Sequence, residues 1–150
     1  SLGRYFICHS LLHIPDNISE ENISMIKAEP SIQKTLQLLS EANILLHGVG
    51  EAEKMASRRG MTSSQIQKLL NKGAIGEAFG YYFNRKGEIV YSTTSVGLSL
   101  EDLKDIDQVI AVAGGENKVE AIISAVSPEY QDILITDEVT ARKILSSRDS

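Results

Sequence analysis

Val109-Ile110-Ala111-Val112-Ala113-Gly114-Gly115-Glu116-Asn117-Lys118 decides the fold of this chain. The first five residues are apolar, in a short run that reads as a buried strand. Two glycines then break the run. Val119, Ile122, Ile123 and Val126 follow at the spacing of a helix face. Strand, glycine turn and helix start, in that order, make an anion site in α/β proteins. Backbone N–H groups at the helix start are unpaired, and the helix dipole favours negative charge there. Lys118 is the anomaly, because a cation in the first turn opposes the dipole. A bound phosphate would turn that mismatch into a clamp.

The same alternation extends along the chain. A strand is expected over residues 5–8, and a loop with Pro15-Asp16 turn chemistry over 9–17. A short polar helix opens at Ser19. Pro30 suits the first position of the next helix, whose buried face is Ile32, Leu36 and Leu39, with Leu38 beside it. Residues 43–47 form a strand ending at Gly48-Val49-Gly50, and a helix runs from Glu51 to about Arg59, closed by Gly60. Thr62 with Gln65 is a capping box for the helix that carries Ile66, Leu69 and Leu70. Residues 77–83 alternate as one strand, with Glu77, Phe79, Tyr81 and Phe83 on one face. A turn at 84–87 returns the chain through 88–91. Ser99 and Asp102 cap a short helix with Leu100 and Leu103. A strand at 133–135 and a helix from about Asp137 to Leu145 complete the pattern. Strands alternating with helices predict an α/β fold: an open, mostly parallel sheet with helices on both faces, plus an antiparallel hairpin.

Composition narrows the function. The chain has 150 residues, 42% hydrophobic and 23% charged, one domain's worth of ordinary globular sequence. A net charge of −5 argues against a nucleic-acid surface on this piece. No apolar run approaches a membrane span, and the first residues lack a signal-peptide core, so a cytoplasmic protein is expected. The single Cys8 excludes an internal disulfide. His9, His13 and His47 show no metal-ligand spacing, and no Ser/His/Asp set or P-loop is present. No cofactor, metal or catalytic residue is expected.

Ligands of open α/β sheets bind at the carboxyl ends of the strands. Three such ends are candidates: Gly48-Val49-Gly50, Gly114-Gly115 and Thr136-Asp137-Glu138. Each candidate residue has two readings. Lys118 is either a phosphate ligand or a solvated lysine paired with Glu116 or Glu120. Arg58 and Arg59 either offer a guanidinium to phosphate or complement the C-terminal dipole of their helix. Glu77 either accepts hydrogen bonds from ligand hydroxyls or is an exposed acid at the hairpin edge. Asp137 reads as an N-cap.

Taken together, these residues carry a family resemblance. Gly73-Ala74-Ile75-Gly76-Glu77-Ala78-Phe79-Gly80-Tyr81-Tyr82-Phe83, residues 84–87, 109–118 and 134–145 resemble the effector-binding domain of SorC-type bacterial transcriptional regulators. His47-Gly48-Val49-Gly50-Glu51-Ala52 is similar to the glycolytic branch of that family. The resemblance implies a scaffold like that of ribose-5-phosphate isomerase and glucosamine-6-phosphate deaminase, used to sense a sugar phosphate. For the glycolytic branch it implies fructose 1,6-bisphosphate as effector. It also implies Arg58 as a phosphate ligand, Glu77 as a contact to the sugar, and Lys118 as a phosphate ligand near the Gly114-Gly115 turn, while the Gly48-Val49-Gly50 loop, followed at once by Glu51 and Glu53, reads as meeting sugar hydroxyls through backbone groups. The family's DNA-binding region and the first part of its effector domain have no counterpart here. Operator DNA would therefore be reached only through that missing N-terminal domain, and a homo-oligomer is expected. The alternative is a sugar-phosphate isomerase-type enzyme with Glu77 as general base.

Overall fold

The computed structural model describes residues 10–12, 14, 18–94 and 96–148. The strand expected over residues 5–8, with Cys8, lies outside them. The first two described elements are helices, α1 (Glu20–Lys27) and α2 (Pro30–Ser40), with Pro30 at the start of α2 as its fixed φ favours. The expected buried face of α2 is only half covered. Thr35 is its one buried residue, bonded to Ser10 Oγ at 2.8 Å, and Leu38 is 48% exposed.

Strand β1 (Ile44–Gly48) leads directly into β2 (Gly50–Glu51) and α3 (Ala52–Arg58). Helix α4 (Ser63–Asn71) starts at the expected capping box, with Gln65 N donating to Thr62 Oγ1 and Thr62 N to Gln65 Oε1. Strands β3 (Gly76–Ala78), β4 (Tyr81–Phe83) and β5 (Ile89–Ser92) follow. A 3₁₀ turn at Asp102–Asp105 precedes β6 (Gln108–Val112), and a second at Glu116–Lys118 precedes α5 (Val119–Val126). β7 (Ile133–Ile135) and α6 (Glu138–Arg148) close the order. No helix of the described residues is long and apolar enough to cross a membrane.

The α/β class holds, and the strands divide into two sheets. β1, β6 and β7 are parallel in the order β1-β6-β7, and β2 to β5 form an antiparallel sheet in chain order. The antiparallel part is larger than one hairpin, because residues 77–83 are not one strand. The chain turns back at Phe79-Gly80, so that Ala78 pairs Tyr81 and Glu77 pairs Tyr82. Both turn residues have positive φ, 57° and 83°, as a two-residue hairpin turn of the primed type requires. Alternation of residue types did not reveal this, because aromatic residues occupy both faces of the second arm, at Tyr81, Tyr82 and Phe83, and hide the change of phase at the turn. Glu77 therefore faces Tyr82, not the Phe79, Tyr81 and Phe83 face read from sequence.

One core joins the sheets. Val109 and Ala111 of β6 cluster with Val119, Ile122 and Ala125 of α5, Ile144 of α6, and Ala78 and Phe83 of the antiparallel sheet. Leu45 and Leu134 pack at its edge. The other side of the parallel sheet is bare among the described residues. Ile44, Leu46, Val112, Ile133 and Ile135 are 40–65% exposed there.

Candidate functional site

Parallel register gathers the candidate loops at one edge. Gly48 pairs Val112, and Val112 pairs Ile135. The segments that follow these three residues therefore leave the sheet side by side: Val49-Gly50, Ala113-Gly114-Gly115 and Thr136-Asp137. Gly50 in turn pairs Glu77 in the antiparallel sheet. Sequence-distant candidates are thus brought to one rim by backbone pairing alone.

The Gly114–Lys118 turn is built around a carboxylate. Gly115 N donates to Asp137 Oδ2 and to Thr140 Oγ1, both at 2.9 Å. Thr140 N donates to Asp137 Oδ1 at 2.9 Å, and Thr140 Oγ1 to Asp137 Oδ2 at 2.6 Å. Asp137 is thus the expected N-cap of α6 and also a tie to the glycine turn. These bonds to its charged form, led by Thr140, lower its pKa to about 2. They also account for both glycines. A Cβ on Gly114 would lie 2.5 Å from Asp137 Oδ2, and Gly115 has φ 107°. The amide first expected to receive a ligand anion already holds one from the protein.

Lys118 is half-buried, and its two possible local partners are engaged elsewhere. Glu116 pairs with Lys143 at 2.5 Å, and Glu120 pairs with Arg85 at 2.9 Å. Lys118 makes no ion pair among the described residues. The reading of Lys118 as a lysine neutralised by Glu116 or Glu120 therefore fails.

Glu77 is buried at 4% exposure, so it is not an exposed acid at a hairpin edge. Its Oε1 accepts from Arg59 Nη2 at 2.9 Å and from Gly80 N at 2.6 Å. The carboxylate thus closes the Phe79-Gly80 turn and neutralises Arg59. Next to it lies the fully buried Tyr82. Burial pushes the Tyr82 hydroxyl up to about 12, with the Glu77 charge adding to the effect and Arg59 opposing it. Of the two adjacent arginines read from sequence, Arg59 is the one drawn into this group. Arg58 is exposed on the last turn of α3, with no ion pair among the described residues.

His47 was not a sequence candidate, yet it borders the same turn. Its ring lies 4.0 Å from that of Phe79, and its Nδ1 is 3.0 Å from Gly48 O. Burial lowers its pKa, so the ring is neutral near pH 7. Nothing local in the sequence signals either this contact or the Asp137–Gly115 tie. Both join residues far apart in the chain.

A cavity of about 830 Å³ opens beside the Phe79-Gly80 turn. Leu39, Leu45, Met61, Phe79, Val96 and Leu98 help to line it, and Arg59 is its only charged lining residue. Ser19, Gln65, Thr93 and Thr94 add polar groups to the same wall.

A two-sheet α/β scaffold thus gathers glycine turns and a half-buried cation at its strand ends. Residues 4–146 match the family described as "Putative sugar-binding domain", and the chain belongs to it. Among its relatives, the central glycolytic genes regulator of Priestia megaterium is 44% identical over 137 residues, 91% of this chain and 40% of that protein. The regulator of the same name from Bacillus subtilis is 42% identical over the same share of both chains. A SorC-family transcriptional regulator from Enterococcus faecalis superposes with a TM-score of 0.81 at 41% identity, over 89% of this chain and 55% of its own. The chain thus spans 40% of the length of these curated relatives. They are transcriptional regulators by name, not enzymes.

Proposed function

We propose that this chain is the C-terminal part of the effector-binding domain of a cytoplasmic, homo-oligomeric SorC-type repressor of glycolytic genes. It supplies one wall of a site for a phosphorylated sugar, with fructose 1,6-bisphosphate favoured. The observation that carries this reading is Lys118, half-buried at the strand ends with both neighbouring acids committed elsewhere. An uncompensated cation in a partly dry position favours an anion that can approach from solvent. Arg58, exposed on α3, supplies a second phosphate contact. Gly48, Val49, Gly50, Gly114 and Gly115 line the rim with backbone groups, and the buried Glu77 serves it from beside Gly50 by holding Arg59 and the Phe79-Gly80 turn.

The bare side of the parallel sheet supports the view that the domain is larger than this chain. Parallel sheets are found with both faces covered, and five exposed aliphatic side chains on one face are unusual for a finished surface. Operator DNA is contacted by a separate domain. The effector acts by binding one state of the assembly better than the other, which shifts the population away from the DNA-binding form.

The isomerase alternative is not favoured. A general base must reach a substrate proton, whereas Glu77 holds Arg59 and the Gly80 amide. The test is to titrate fructose 1,6-bisphosphate into the full-length protein and follow operator binding. Operator affinity should fall, and Lys118→Ala should blunt the response. Unchanged operator affinity at saturating ligand would reject the proposal, and turnover in a coupled isomerase assay would reject the sensor-only reading.

A further inference from the structure

Helix α6 grips the Gly114–Lys118 turn at two places. Asp137 and Thr140 hold the Gly115 amide, and Lys143 holds the Glu116 carboxylate at 2.5 Å. The held residue passes the constraint on, because Gly115 O accepts the Lys118 N–H at 2.9 Å. We infer that Asp137 and Thr140 are positioning residues, fixing Lys118 for its anion through Gly115. The inference rests on the reading of Lys118 as a phosphate ligand.

A rival role for Asp137 is that of a competitor, occupying the amide that a phosphate would take. The geometry points the other way. Three donor groups converge on the carboxylate: Gly115 N, Thr140 N and Thr140 Oγ1. Thr140 is fully buried, and the space a Cβ on Gly114 would fill is taken by Asp137 Oδ2. A phosphate taking the Gly115 amide would have to break its bonds to Asp137 Oδ2 and Thr140 Oγ1 and set its own charge against the Asp137 carboxylate, at a cost that one new amide contact does not offset. The carboxylate therefore stays in place, and the ligand meets Lys118.

The experiment measures fructose 1,6-bisphosphate affinity calorimetrically on the intact protein. Thr140→Val, which keeps the shape and deletes the hydroxyl, and Asp137→Asn should each weaken binding about tenfold, the effect of one lost charge-assisted bond. Thr140→Ser should restore affinity to within about twofold, since it returns the hydroxyl. A merely structural role would lower the ligand-free melting temperature and leave the affinity of the folded protein unchanged, which overturns the inference. Tighter binding by Asp137→Asn also overturns it and makes the carboxylate a competitor. If Asp137→Asn does not fold, the Thr140→Val and Thr140→Ser pair decides alone. Lys118→Ala separates the two levels. Its failure to weaken binding removes the phosphate reading itself, whereas its success beside an unaffected Thr140→Val removes only the positioning role.

Discussion

Tyr82 brings a pH dependence that a surface tyrosine would not. Its hydroxyl ionises near 12 in the fold, against an ordinary value of 10.0. The group is an acid with a raised pKa, so its contribution to stability is complete below pH 10 and lost as pH rises from 10 toward 12. The loss amounts to about 2 kcal/mol at the upper end of that window. Urea melts of Tyr82→Phe and the parent protein should therefore converge in their pH dependence below 10 and diverge above it. Parallel curves up to pH 11.5 would show that Tyr82 is more hydrated than its burial implies. At this scale the sequence was legible wherever the signal was local. Lys118 stood out because it opposed the dipole of its own helix, and Glu77 because an acid sat among aromatics. Arg58 and Arg59 read alike from their own helix, and only the family resemblance singles out Arg58. What separates them is Glu77, 18 positions further along the chain.

The Phe79-Gly80 turn shows where element-level reading fails and what the turn requires. Periodicity read through the turn as one strand puts Glu77 with Tyr81 and Phe83, whereas the two-residue turn reverses the phase and sets Glu77 opposite Tyr82. The glycine was visible, but its positive φ was not. Caps are different, since Thr62 and Gln65 need only each other, and α4 begins where they place it. Gly80 has φ 83°, and a Cβ there would lie 2.4 Å from Thr93 Oγ1. Gly80→Ala should thus lower stability by about 1–3 kcal/mol, the range for a side chain forced into that conformation. Equilibrium unfolding in urea measures it. A change below about 0.5 kcal/mol, the range of an ordinary surface substitution, would mean the turn relaxes without strain. Because Gly80 N also bonds Glu77, the variant should disturb the Arg59–Glu77 pair as well.

The whole molecule is finished on one side of its parallel sheet and bare on the other. The α/β class followed from the alternation of elements, but the bare face did not, since a run such as Ile133-Leu134-Ile135 reads the same whether one face or both are covered. Leu46 is 65% exposed on that face. Leu46→Lys should make the isolated chain less prone to associate, as read by sedimentation velocity, and should destabilise the intact protein by about 2 kcal/mol or more if the face is covered there. Unchanged stability of the intact protein would show that the face is free in it too. A last consequence lies in the link between the sheets. Gly48 keeps register with Val112 on one side, and Gly50 keeps register with Glu77 on the other, with Val49 alone between them. The connection has no slack. A length change at Val49 breaks one pairing or the other, so this position is closed to the insertions and deletions by which loops diverge.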